Sequence, residues 1–163
     1  MTTKMAPSKV FEEYVAAAAD APADIRFVLD HLDVRIPVDC SEESLERLER
    51  LYWDVREGAV QLPEGLTSVE ELPELLARYL GHCIVTRAGG RWIESKERNR
   101  RGGQPCIDGF GNKPWDRVYP VELAKNFSRL RETNPTFPGV RDRRVLATQL
   151  RKALRIAEEE GPG

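Results

Sequence analysis

Apolar residues recur along this chain mainly at helical spacing, with one central stretch of shorter, strand-like runs. Val10, Phe11, Tyr14 and Val15 fall three and four apart and predict a helix from Pro7 to about Asp20, with Ser8 as its cap. Ala21-Pro22 predicts a break, and Ile25, Val28, Leu29 and Leu32 predict a second helix from Ala23 to about Leu32. Val34 to Val38 alternates apolar and other residues, but Pro37 points to an edge strand or an extended linker. Leu45, Leu48, Leu51, Tyr52 and Val55 predict the next helix, starting at Ser41 or Ser44 and ending at Gly58. Its other face, Glu42, Glu43, Glu46, Arg47, Glu49 and Arg50, reads as solvated and laced with local ion pairs.

Val60 to Leu66 reads as a loop, with Pro63 and Gly65 as its turn residues. Ser68-Val69-Glu70-Glu71 then has the form of a capping box. Leu72, Leu75, Leu76, Tyr79, Leu80, Cys83 and Ile84 continue a helical stripe to about Arg87, in phase across Gly81. The rival is a strand over His82–Arg87, since Ile84, Val85 and Thr86 are β-branched. Gly89-Gly90 supplies a stop and a tight turn. Arg91–Glu94, Pro105–Phe110 and Trp115–Tyr119 read as three strands, joined by a charged connection over Lys96–Gln104 and a turn over Gly111–Pro114. Pro120 opens a further helix carrying Val121, Leu123, Ala124, Phe127 and Leu130. A Pro/Gly loop spans Thr133–Gly139, and a last helix runs from about Asp142 to Glu159. Residues 1–6 and 158–163 should fray. The pattern predicts one α+β domain over residues 1–163: a helical N-terminal half, a small central antiparallel sheet and two C-terminal helices.

Composition agrees with a folded, polar domain: of 163 residues 40% are hydrophobic and 32% charged. That length needs no disulfide or metal staple. The cysteines, Cys40, Cys83 and Cys106, are odd in number and widely spaced, which argues for a reducing compartment. The N-terminus carries no apolar signal core, and no apolar run approaches bilayer-spanning length. The expected location is cytoplasmic, without membrane contact. Frequent arginine and alanine suggest a bacterial source.

Charge changes the picture. Residues 1–86 carry 8 basic and 17 acidic side chains, net −9, while residues 87–163 carry 17 basic and 10 acidic, net +7. Such a split signals either a surface for a charged partner or two halves that pack with complementary fields.

The residues offer no coherent catalytic set. His82 stands next to Cys83, but neighbours on a helix point about 100° apart and do not pair. The five His and Cys residues show no CxxC, HxxxH or HExxH spacing, so no metal is expected. Gly89-Gly90 and Gly109-Phe110-Gly111 form neither a GxxxxGK[ST] nor a GxGxxG loop, so no phosphate-bearing cofactor is expected either. Asp108 to Asn112 lacks the alternating ligands of a calcium loop.

The basic segments are the best functional lead. Lys96, Arg98, Arg100 and Arg101 share one loop, and Arg144, Arg151 and Arg155 belong to the last helix. Such arginines suit an acidic protein surface or phosphates. Trp92 and Trp115, on predicted strands, fit core aromatics, and if exposed they would form a protein-binding hot spot. These nine residues are the candidate partner-binding set. The expected function is a non-catalytic, immunity-like or accessory protein that binds a macromolecular partner through charged surface. One alternative is a nucleic-acid-binding accessory domain using loop 96–104 and the last helix, although an overall pI of about 5.8 weighs against it. The other is a small enzyme dependent on Cys83 or Cys106.

The segment LARYLGHCIVTRAGGRW, residues 76–92, followed by VYP at 118–120, resembles small uncharacterised bacterial α+β domains. Some of these sit near toxin–immunity or accessory loci. The resemblance spans about residues 68–131. It implies a helix, a glycine turn and strands, together with a bacterial accessory role, and it carries no catalytic residue across.

Overall fold

A helix over Leu72–Ala88 lies at the middle of the fold, and the other helices pack around it. In a computed structural model, residues 8–98, 101–133 and 145–160 are described. In chain order the elements are α1 (Lys9–Leu32), α2 (Glu42–Arg56), α3 (Leu72–Ala88), β1 (Arg91–Glu94), β2 (Pro105–Asp108), α4 (Pro120–Thr133) and α5 (Val145–Glu160). The chain is α+β, with its helices in the N-terminal half, one two-stranded antiparallel sheet, and two C-terminal helices.

Helix α3 can be central because it is apolar nearly all round: Leu72, Leu75, Leu76, Tyr79, Leu80, Cys83 and Ile84 are all buried. The Ser68 hydroxyl accepts the Glu71 amide at 3.2 Å, one arm of the predicted capping box, while the Glu71 carboxylate accepts the Ser68 hydroxyl, at 3.2 Å, rather than its amide. The helical stripe prevails over the strand reading of His82–Arg87, and Gly89, at φ +79°, ends the helix in the left-handed region.

Helix α1 is continuous where Pro22 predicts a break. Proline removes one helical hydrogen bond. Ala18, Ala21, Ile25, Val28 and Leu29 nevertheless stay on one buried face that docks on α3, and tertiary packing outweighs the local cost. Ser8 caps α1, its hydroxyl accepting the Phe11 amide at 3.2 Å. Residues 34–38 form an extended connection, the linker reading rather than a strand. Ser41 caps α2.

β1 and β2 pair with Trp92 opposite Ile107 and Ile93 opposite Cys106. Ser95 and Gln104 prolong this hairpin with a 2.8 Å backbone bond. The Trp92 ring crosses α3 at Gly81, where an added Cβ would lie 2.5 Å from the indole, so this crossing needs glycine. The third predicted strand, Trp115–Tyr119, does not form. Only Val118 meets Ile107, in an isolated bridge. Pro114 offers no amide, and the Asp116 carboxylate takes the Lys113 amide at 3.2 Å, which folds the segment into a turn.

Helix α5 packs on both α2 and α3. It stays helical to Glu160, beyond the point where fraying is expected. Glu160 there pairs with Lys113 at 2.9 Å and accepts the Asn112 amide at 3.3 Å. Thr133, expected to open a loop, is the last residue of α4; the rest of that predicted loop (134–139), the start of the last helix near Asp142, and the expected fraying at residues 1–6 and 161–163 lie outside the described residues.

Candidate functional site: a tryptophan on a basic surface

The predicted partner set separates in the structure. Trp115 is 75% exposed, while Trp92 is half-buried with its ring edge-on to Tyr14 at 5.6 Å. Trp92 is therefore a packing residue and Trp115 a surface one, so the two do not form a joint patch. Trp53 is core, as its helical phase predicts.

The turn that carries Trp115 is tied down on every side. Phe110 is buried at its start, and Gly109 takes φ +83° to admit the reversal. Asp116 is buried and closes the turn through the Lys113 amide, while the Asp116 amide donates to the Lys113 carbonyl at 3.0 Å. Glu160 of α5 grips Lys113 and Asn112. Val118 and Ile107 exchange backbone bonds of 2.9 and 3.0 Å at the end. An exposed aromatic on so fixed a mount loses little freedom on binding.

Two hollows flank Trp115. The first, about 250 Å³, is shared with Arg101, Arg117, Tyr119 and Gln149. The second, about 180 Å³, is shared with Phe110, Arg117, Lys152 and Ile156. The Arg101 guanidinium lies 4.7 Å over the Tyr119 ring, and the Lys113 ammonium 5.9 Å from Trp115. Arg117 is raised above its ordinary value, first by the neighbouring Tyr119. Glu97 and Glu122 also line the first hollow; both are half-buried, and Glu122 accepts from Gln104 at 3.2 Å. Arg101 and Arg117 are half-buried as well, and the exposed charges beside the hollows are Lys113 and Lys152, with Glu159 acting on Lys113.

Of the predicted cations, Arg101 lines the site and Lys96 and Arg98 are exposed on the adjoining loop. Arg151 is engaged elsewhere: its Nη2 and Nε meet Glu42 Oε2 of α2 at 2.8 and 3.1 Å. Arg155 is exposed one turn further along that same side of α5. Arg100 and Arg144 lie outside the described residues. Among the described residues, no ion pair engages Lys96, Arg98, Lys152 or Arg155. Reading the sequence missed Lys113 and Gln149, whereas Arg117 and Lys152 are recognisable in it as part of the basic segments although they stand outside the nine-residue set. The signal was present in Lys113-Pro114-Trp115-Asp116-Arg117, a tryptophan between two cations beside a proline, but a strand reading hid it.

The charge split is thus partly internal. Arg151–Glu42 joins the basic half to the acidic one, and so does Glu49. Glu49 was placed on a solvated face by its helical phase, yet it is 2% exposed. Its carboxylate accepts the Val145 and Leu146 amides at 3.2 and 3.0 Å and caps the described start of α5 from α2. Burial pushes its pKa up to about 7, against the lowering effect of those two amides.

Cys83 and Cys106 are closed off from any substrate in solution. Cys83 and Cys106 are fully buried, and burial pushes Cys106 up to about 11 and Cys83 higher still. His82 faces Thr86, 3.5 Å away, and His31 contacts the Phe27 carbonyl at 2.8 Å. Among the described residues no group of three or more His, Cys, Asp and Glu converges as metal ligands, and no helix is long and apolar enough to cross a membrane. A further concavity, about 630 Å³, lies between the end of α2 and the 58–69 loop; Val55, Leu62 and Leu66 line it, and the ionisable groups among its lining residues are Glu64 and Glu71. No protein-family model, curated protein or solved structure matches this chain.

Proposed function

We propose that this chain is a non-catalytic, immunity-like accessory protein that grips an acidic segment of a protein partner on the Trp115 surface. The observation that carries this reading is the mount of Trp115. A 75% exposed indole sits on a turn pinned by Asp116, Glu160 and Val118, between two hollows rimmed by Arg101, Arg117 and Lys152. Tryptophan and arginine are the side chains that anchor protein interfaces. The hollows admit apolar side chains of a partner, and Lys96, Arg98 and Lys152, which no ion pair engages among the described residues, meet its carboxylates. The bacterial accessory domains that residues 68–131 resemble agree with such a role.

The same tryptophan offers a stacking face for a nucleobase, which keeps the nucleic-acid reading as the competing outcome. The buried thiols do not support a cysteine-dependent enzyme.

Titration of the ¹⁵N-labelled chain distinguishes these readings. An Asp/Glu-rich peptide with apolar anchors should shift the Trp115 indole N–H saturably and leave that of Trp53 in place. Trp115→Ala should weaken binding about tenfold or more. If the peptide leaves the Trp115 signal unmoved at low salt while a single-stranded oligonucleotide shifts it with a steep salt dependence, the nucleic-acid reading replaces this one.

A further inference from the structure

Tyr79, Cys83 and Arg87 stand four residues apart on α3 and therefore share one face. The outer two both hold the backbone of Cys40. The Tyr79 hydroxyl accepts the Cys40 amide at 2.9 Å, and an Arg87 Nη1 donates to the Cys40 carbonyl at 3.0 Å. Cys83 lies between them, on the face that Cys40 packs against, and the two thiols are near enough to perturb each other's ionisation. Two thiols carried by the connection 34–41 and by α3 are thus held side by side.

Cys40 occupies the left-handed region, at φ 61°, where glycine or asparagine fits most readily. It keeps 8% exposure at the edge of the core, whereas Cys83 has none. The neighbouring Cys83 thiol, with Arg87 nearby, holds the Cys40 thiol below its ordinary value, and burial holds Cys83 above it. The outer thiol has the character of an attacking group and the inner one that of a resolving group.

We propose that Cys40 and Cys83 are a modification site, joined reversibly as an intramolecular disulfide by a low-molecular-weight disulfide of the oxidised-glutathione class. The Cys40 thiolate attacks one sulfur of that molecule, breaking its sulfur–sulfur bond and releasing one small thiolate. Cys83 gives up its proton to that thiolate and attacks the Cys40 sulfur, releasing the second small thiolate, which takes the proton left by Cys40. The two protein thiols lose two electrons and two protons, and the small disulfide is reduced to two thiols. The product ties the α1–α2 connection to the central helix. Cys106 lies on β2 opposite Ile93 and takes no part.

The reduced full chain, incubated with oxidised glutathione in native buffer, alkylated and mapped by mass spectrometry, tests this. The expected product is a monomer lighter by two hydrogens, with one cross-linked peptide pair containing Cys40 and Cys83. Cys106 should remain a thiol that alkylates after unfolding. The oxidised chain should melt at a higher temperature than the reduced one, and dithiothreitol should restore the original mass. Cys83→Ser should stop at a glutathione adduct on Cys40; if that variant does not fold, the wild-type map still decides. A wild-type chain that keeps glutathione on Cys40 with Cys83 free, links to Cys106 instead, or forms the bond only in denaturant overturns the proposal.

Discussion

Glu49→Ala should cost about 3 kcal/mol of folding stability, because it removes one charged acceptor from two backbone amides at once. Glu49 is 2% exposed, and alanine leaves the Val145 and Leu146 amides facing a void where Oε1 and Oε2 stood. The loss falls on the contact that holds α5 against α2, so thermal and urea unfolding should both register it. The same group predicts a pH dependence. Glu49 titrates near 7 in the folded chain and near the ordinary 4.5 when unfolded. Between those values the folded chain retains a proton that the unfolded chain has released. Stability is therefore highest below about pH 4.5 as far as this group is concerned, and it falls as pH rises toward 7, by on the order of 2 kcal/mol. Glu49→Gln keeps a carbonyl acceptor and removes the titration. Its stability relative to wild type should rise across that window; parallel profiles would contradict the assignment.

Tyr79→Phe should cost about 2 kcal/mol, through one oxygen atom. The Tyr79 ring is fully buried, and its hydroxyl accepts the Cys40 amide at 2.9 Å while bonding Ser44 Oγ at 2.8 Å. Ser44 keeps its bond to the Ser41 carbonyl at 2.7 Å, so the orphan in the variant is the Cys40 amide. Hydrogen exchange at that amide should accelerate more than at the α3 amides around position 79. A loss below about 0.5 kcal/mol would mean that another acceptor takes over. Because this hydroxyl also holds Cys40 in its left-handed conformation, Tyr79→Phe should slow the closure of the Cys40–Cys83 disulfide.

Elements whose apolar stripe stays in phase were legible in the sequence. α2 and α3 could be located from leucine spacing and caps, and the hairpin from Gly89-Gly90 and two short β-rich runs. Local rules misled where tertiary contacts dominate. Pro22 marks a break by itself, but the face from Ala18 to Leu29 is buried as a unit on α3. Trp115 to Tyr119 alternates like a strand, but Asp116 folds back on its own backbone. Glu49 lies on the charged side of α2 by helical phase, and only the arrival of α5 buries it. The candidate site was half legible. Loop cations and Trp115 are recognisable by residue type, whereas Trp92 and Arg151 carry the same signal and turn out to be occupied internally. Composition cannot show which cation already has a partner.

That difference defines the central claim: part of the charge split is consumed inside the fold, whereas Lys152, beside Trp115, is engaged by no ion pair among the described residues. Charge reversal at two positions of α5 measures it directly, by pairing unfolding curves with affinity for the acidic peptide. Arg151→Glu places a like charge against Glu42 and should lower the unfolding midpoint measurably, more so at low salt, with little change in affinity. Lys152→Glu, on the hollow beside Trp115, should leave stability within about 0.5 kcal/mol and weaken binding about tenfold. The opposite pattern, with Lys152→Glu unfolding the chain and leaving affinity intact, would contradict the account.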